Sequence, residues 1–221
     1  ANDRVTGLAR LALCTVTVMA LTASAGAQTK SRSSGKAASP PANPYPQRFQ
    51  ALCATCHGAN GRSDVPGTPV LAGQHSFYAA TQLFLFREGR RSNEAMTREA
   101  KTVPDAAWRG SSDSLGTLPP VAPPASATAP DAARMSRGAE LAQKHKCVFC
   151  HGADFAGGQQ VPRIGGQRED YLQMSLQGFK SGKRPGYTMA MSEAVSQVSP
   201  EELDTLAYYA ARFTRPKAIG N

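Results

Sequence analysis

Two pentapeptides constrain this chain more than anything else in it: Cys53-Ala54-Thr55-Cys56-His57 and Cys147-Val148-Phe149-Cys150-His151, each continuing Gly-Ala. Cys-x-x-Cys-His is the attachment motif of c-type haem. The two thiols add across the porphyrin vinyl groups, and the adjacent histidine reaches the iron. Two other chemistries use a bare Cys-x-x-Cys. Structural zinc needs two such pairs close together, and these lie 94 residues apart. A thioredoxin-like pair needs a βαβ context that neither copy's pattern offers. Four of the five cysteines sit in the motifs, leaving only Cys14 and no structural disulfide.

The rest of the chain is also written twice. Thr68-Pro69-Val70-Leu71 is matched by Val161-Pro162-Arg163-Ile164, and Gly73-Gln74 by Gly166-Gln167. Tyr78, Leu83, Phe86, Gly89 and Arg91 are matched by Tyr171, Leu176, Phe179, Gly182 and Arg184, all at one offset of 93 residues. A fixed offset over so many positions is the signature of an internal duplication. Two cores of under about 100 residues each bury modest apolar area, so a covalently held porphyrin would form a large part of each.

Helical patterning fills both copies. Pro46 to Leu52 reads as a short helix with Phe49 and Leu52 inward, delivering the first motif, and Ser76 to Arg87 as a helix with Phe77, Leu83, Phe84 and Phe86 as apolar candidates. Arg90 to Asn93 is a loop before Met96, and Gly138 to Lys146 a helix leading into Cys147. The second copy closes with a helix start at Ser199-Pro200-Glu201-Glu202, with Ser199 as N-cap and Glu202 completing a capping box. Leu203, Leu206, Ala207, Ala210 and Phe213 then recur at helical spacing. In the first copy, Val103-Pro104-Asp105 begins the same way but runs into Trp108 to Ser114 without apolar period. The expectation there is a missing or badly degraded terminal helix.

The ends of the chain read differently from its middle. Arg4 and Arg10, an apolar run from Leu11 to Leu21, and Ala25-Gly26-Ala27 form a signal peptide over residues 1–27, cleaved near Ala27. Cys14 lies inside the apolar run, not after it as a lipoprotein cysteine would. Residues 28–43 form a flexible Ser/Lys/Ala/Pro leader, 44–117 the first domain, 118–132 a Pro/Ala-rich linker and 133–216 the second domain. No stretch remaining after signal removal could anchor the protein across a membrane. The formal charge of +9 falls to +8 without Asp3, Arg4 and Arg10. Such a balance can steer an acidic protein partner or an approach to anionic lipid. Nucleic acid is a poor reading, since no basic helix or aromatic–basic alternation appears.

Two axial ligands are needed per iron. His57 and His151 supply the first. Met96, 39 residues after His57, is the only methionine between its motif and the linker. Downstream of its motif the second copy has three: Met174, read as core because it lies within a helical stretch, and Met189 and Met191. Counting forward at the shared offset selects Met189. Counting back from the valine before the terminal helix selects Met191, which is favoured because the preceding loop can absorb two residues; Met189 stays open. A thioether favours the reduced iron and raises its potential, and His/Met ligation leaves no coordination site for a substrate. Pro69 and Pro162 read as supports, their carbonyls accepting the other ring N–H of the axial histidines. His75 and His145 read as ordinary surface or helix histidines. Arg87, Arg90, Arg91, Lys180, Lys183 and Arg184 read as a solvated face; the alternative is that they hold haem propionates or rim a docking surface.

With these residues in place, positions 44–216 resemble the di-haem class I cytochromes c of the periplasmic c-four type. The resemblance rests on both haem motifs, the paired Gly-Gln segments, the downstream methionines and the Ser-Pro-Glu-Glu helix with Tyr208-Tyr209. It implies an all-α fold of two tandem class I cytochrome c domains joined by the linker, with two covalently bound haem c. Attachment would be through Cys53, Cys56, Cys147 and Cys150, with iron ligation by His57, Met96, His151 and Met191. It implies a periplasmic electron carrier, not an enzyme. A periplasmic dehydrogenase or membrane cytochrome complex would be the donor, and a terminal oxidase or another periplasmic protein the acceptor. The alternative is the cytochrome subunit of a periplasmic flavin- or quinoprotein dehydrogenase; a di-haem peroxidase is the third reading. The segment Ala107 to Gly116 departs from the family pattern, which has a Leu-Ala-x-Tyr-like helix face there.

Overall fold

In the computed structural model, residues 44–121 and 129–213 are described. The signal-peptide, leader and Cys14 readings, the middle of the linker and residues 214–216 lie outside them. The described residues all belong to one unit. Among the described residues there are helices and a single isolated bridge, Gly158 to Val161, but no strand. The fold is all-α, as expected, and a βαβ context for either cysteine pair is absent from it.

The first copy begins with α1 (Tyr45–Arg48), which widens into a π-turn over Phe49–Cys53 and passes into α2 (Ala54–His57). Phe49 is buried as expected, but Leu52 is exposed. In the wider turn, position i+3 swings further from position i than it does in an α-helix. Next come α3 (Ser76–Arg87), α4 (Glu94–Thr102) and α5 (Asp105–Thr117). The bounds of α3 are those read from the sequence. Its inward face is Ala79, Leu85 and Phe86, however, and Phe77 lies outside at 58 % exposure.

The second copy has α6 (Ala132–Lys144), α7 (Cys147–His151), α8 (Glu169–Lys180), α9 (Ala190–Val195) and α10 (Pro200–Arg212). Its core gathers Leu141, Phe155, Val195, Val198, Leu203 and Leu206. The capping box at Ser199 is formed: its Oγ accepts from Glu202 N at 3.2 Å, and the Glu202 carboxylate accepts from Ser199 N at 3.2 Å. Phe213, just past α10, completes an edge-to-face cluster with Phe155 and Tyr209, with centroids 5.0–5.8 Å apart.

The terminal helix of the first copy is present, which corrects the expectation that it is missing or degraded. Its buried positions are Ala107, Ser112, Ser114 and Leu115, too small and polar to show an apolar period. The bulk comes from its partner. A Cβ on Gly110 would lie 1.9 Å from the Tyr45 ring, so that ring fills the space above the glycine. In the second copy the roles are exchanged: Gly138 of α6 receives Tyr209 of α10, with a Cβ on Gly138 only 2.3 Å from Tyr209 Cβ. Trp108 turns sideways onto α3. Its Nε1 donates to Val103 O at 2.8 Å, and the Arg87 guanidinium stacks 4.0 Å above its ring. Arg87 is thus part of the packing of this copy and not of a solvated face. The start of the linker is packed as well, with Leu118 against the first core and Pro120 against Gly73.

Because the rigid Tyr45 ring fills the space above Gly110, Gly110→Ala costs about 1–3 kcal/mol of overpacking. That outweighs the gain of about 1 kcal/mol that alanine brings to a helix interior. Gly116→Ala is crowded only by the rotatable Ser76 Oγ, with Ser76 N and Gln74 O at ordinary contact distance, and should be neutral or stabilising. Denaturant titration of the full chain followed by circular dichroism checks the opposite signs.

Candidate haem sites

The second motif occupies one short helical turn, α7, and the first runs from the last residue of the π-turn through α2. In such a turn the two thiols and the imidazole of a Cys-x-x-Cys-His sequence fall on neighbouring faces. The turn ends at Gly58 (φ 76°, ψ 150°) and at Gly152 (φ 79°, ψ 158°). This backbone region is essentially reserved for glycine, which explains why Gly follows both histidines. Cys56 and Cys150 are exposed, while Cys53 and Cys147 are half-buried. Burial pushes the Cys53 thiol up to about 11, with Glu99 adding to the effect, and burial likewise raises Cys147. Neither is poised as the low-pKa thiolate of an exchange enzyme.

His57 and His151 are both buried. Their Nδ1 atoms lie 3.0 Å from Pro69 O and 3.0 Å from Pro162 O, respectively. The structure therefore meets the expectation for the two prolines. A carbonyl can only accept, so Nδ1 carries the proton and Nε2 presents its lone pair. Burial lowers the proton affinity of both rings, against the partial opposition of these hydrogen bonds. The result is two neutral imidazoles held in the tautomer that ligates a metal. No three His, Cys, Asp or Glu side chains converge on a metal-sized site among the described residues. An iron here needs most of its ligands from elsewhere, and a porphyrin supplies four. The residues fit haem c and do not fit zinc.

The methionines sort by exposure. Met191 lies in the first turn of α9 and packs on the second core, whereas Met189, just outside that helix, is 64 % exposed. Met96 is half-buried in the first turn of α4, where the Asn93 Oδ1 cap accepts from its backbone N at 2.9 Å. Met174 is exposed, which corrects its reading as core: the buried positions of α8 are Tyr171, Leu172 and Ser175.

The two copies meet through a set of paired bonds that the sequence reading did not assign. Gln74 Nε2 donates to Arg163 O at 3.1 Å, and Arg163 N donates to Gln74 Oε1 at 3.0 Å. Gln167 Nε2 donates to Val70 O at 2.9 Å, and Val70 N donates to Gln167 Oε1 at 2.7 Å. Every partner is related to its counterpart by the 93-residue offset. The contact therefore has a pseudo-twofold, isologous character. His75 Nε2 bonds Ala156 O at 2.7 Å, and at the equivalent position Arg168 Nη1 donates to Ser63 O at 3.3 Å. His75 is thus an interface residue and not an ordinary surface one, while His145 Nε2 lies 3.1 Å from Glu202 within the second copy. The signal was available: a glutamine flanked by glycine, repeated at the same offset, is a polar residue kept for a buried bond.

Arg91 and Arg184 also depart from the solvated face expected of them. Arg91 donates to Gln82 Oε1 at 2.6 Å and to the Tyr171 hydroxyl at 2.9 Å. Arg184 donates to the Tyr171 and Tyr78 hydroxyls at 3.2 and 3.3 Å, and also to Ser175 Oγ. Burial opposes ionisation of both phenols. The two guanidinium groups nonetheless bring Tyr171 down to about 7, while Tyr78 beside it is pushed up to about 12. Arg90 and Lys183 are exposed, as expected.

Comparison with known proteins places these features in a series. The cytochrome c family model matches residues 46–112 and again 135–211. The "Thiosulfate dehydrogenase electron acceptor" of Thiomonas intermedia is 31 % identical over 66 % of this chain and 70 % of its own. "Cytochrome c4" of Thiocapsa roseopersicina is 31 % identical over 73 % of this chain and 87 % of its own. The crystal structure of reduced cytochrome c4 from Pseudomonas stutzeri superposes with a TM-score of 0.68 at 24 % identity, covering 76 % of this chain and 97 % of that one.

If the packed methionine is the sixth ligand, Met191→Ala should remove from the second site the weak far-red absorption of a thioether-bound ferric haem. Met189→Ala should leave it in place. Oxidised-state absorption spectra of the two variants check this.

Proposed function

Since the chain belongs to the cytochrome c family and carries its domain twice, with two covalently bound haem c, we propose that this di-haem electron-transfer protein works as a periplasmic carrier through the sites described above. Haem iron supplies the one-electron couple at each site. Cys53 and Cys56 hold one porphyrin by thioether bonds, and Cys147 and Cys150 hold the other. His57 and His151 bind the irons through Nε2, with Pro69 and Pro162 fixing their tautomer. Met96 and Met191 would supply the second protein ligand to each iron. An iron held by both a histidine and a methionine would offer no coordination position to a substrate, which suits one-electron transfer. Arg91 and Arg184 have no carboxylate within ion-pair distance among the described residues, and their positive charge suits haem propionates.

The observation that carries this reading is the pair of buried, neutral histidines, each one residue after a half-buried/exposed cysteine pair and each anchored by Nδ1 to a proline carbonyl. Periplasmic location rests on the signal-peptide reading of residues 1–27 and on haem c attachment outside the cytoplasmic membrane. No described helix is long and apolar enough to cross a membrane. Redox proteins are the partners. A dehydrogenase-bound role is the second reading, favoured by the relatives described as thiosulfate dehydrogenase electron acceptors.

Intact-mass and absorption measurements on the exported protein should show two covalent haems, both low-spin and six-coordinate in either oxidation state. The purified protein should exchange electrons rapidly with a small-molecule redox mediator without turning over peroxide. High-spin, five-coordinate iron with peroxide turnover would replace the carrier reading with the peroxidase one. Stoichiometric co-purification with a dehydrogenase at native levels would select the subunit role.

A further inference from the structure

Pro69 C=O and Val70 N–H are the two ends of one peptide group. At one end the carbonyl accepts from His57 Nδ1 at 3.0 Å; at the other the N–H donates to Gln167 Oε1 at 2.7 Å, and Gln167 belongs to the other copy. The mirror arrangement holds for Pro162–Arg163. Its carbonyl accepts from His151 Nδ1 at 3.0 Å and its N–H donates to Gln74 Oε1 at 3.0 Å. Each glutamine is fixed in this orientation, because its Nε2 donates back to the carbonyl of the same residue whose N–H it accepts. Its Oε1 also accepts from the next backbone N–H, His75 N at 3.1 Å or Arg168 N at 2.9 Å. All four side chains of the two chains of bonds are buried, with only 5–6 % of their surface exposed.

We propose that Gln74 and Gln167 are crossed positioning residues: each tunes, through one peptide group, the axial histidine of the opposite copy. This rests on the reading of His57 and His151 as iron ligands. Serial hydrogen bonds in a low-dielectric interior polarise one another. Accepting from Val70 N–H, Gln167 pushes electron density onto the Pro69 oxygen, which then draws harder on the His57 Nδ1 proton. The imidazole becomes a more basic ligand and stabilises the ferric state. The same logic runs from Gln74 through Pro162 to His151. Docking of the two copies is thereby part of what sets each iron's potential, and the dependence is exchanged: the first site reads the second copy's glutamine, and the second site reads the first's.

The crossing makes the test sharp. Full-length Gln167→Leu and Gln74→Leu variants are first shown by mass to carry two haems. Their haem methyl resonances are then followed through a reductive titration, and the Nδ1 proton shifts of the axial histidines are recorded in the ferrous state. In Gln167→Leu the first haem's ferric-to-ferrous ratio at fixed potential should fall by about threefold, and the His57 Nδ1 proton should move upfield. The second haem should move by less than half as much. Gln74→Leu should show the reverse. Gln167→Glu keeps an acceptor facing Val70 N–H and should hold the first haem at or below its original potential. His75→Ala breaks another bond of the same interface without touching either peptide, and it should shift neither haem. Uncrossed shifts, equal shifts at both haems, or a His75→Ala effect as large as that of Gln167→Leu would overturn the proposal. Loss of a haem would instead overturn the attachment reading beneath it, and the mass spectrum shows that before any potential is measured.

Discussion

A buried imidazole has two nitrogens and only one proton to place, and in this protein everything around the sites follows from where that proton is put. The prolyl carbonyls of residues 69 and 162 each take it on Nδ1, which frees Nε2. Proline suits the position because it lacks an N–H and has a stiff φ, so the loop offers an oriented acceptor without a competing donor. The turn that carries the cysteines, the glycine that ends it and the loop that returns under the ring are all needed to bring that oxygen within 3.0 Å. Without the bond, a neutral ring would be free to choose either tautomer.

The same loops form the contact between the copies, and its chemistry is unusual for a domain interface. Side-chain amides clamp opposing backbone, and guanidinium groups bridge phenols. Buried amides left without partners would cost about 1–3 kcal/mol each, so the contact tolerates little sliding. It favours one register, that in which each glutamine faces the peptide 93 positions from its counterpart's partner. Where the symmetry fails, it fails in kind and not in place: His75 stands opposite a backbone carbonyl as Arg168 does.

Much of this was legible in the residues. The haem motifs, the 93-residue offset, the bounds of α3 and the capping box at Ser199 each express a local rule, and local rules survive translation into structure. The prolyl acceptors were legible because they recur beside each motif. What escaped depends on a partner from elsewhere in the chain. Arg91 and Arg184 look like solvated charges until Tyr78 and Tyr171 are brought beside them. Met174 sits in an apolar context in sequence but on the outer face of α8. Helix α5 shows no apolar period because its bulk is supplied by Tyr45, some sixty-five residues before Gly110. A pattern search along one helix cannot see volume contributed by another.

That exchange of bulk between Gly110/Tyr45 and Gly138/Tyr209 reaches into how the chain assembles. A duplicated protein risks confusing its own halves, because an opening helix made first could settle on the closing helix of the wrong repeat. Here the mismatched partners are incompatible in both directions. The opening helix of the first repeat would bring one tyrosine against another, and that of the second would leave two glycines facing a void. Each repeat thus carries a steric identity that its haem motif, nearly the same in both, cannot provide. The two halves can diverge in potential or partner while still finding their own ends.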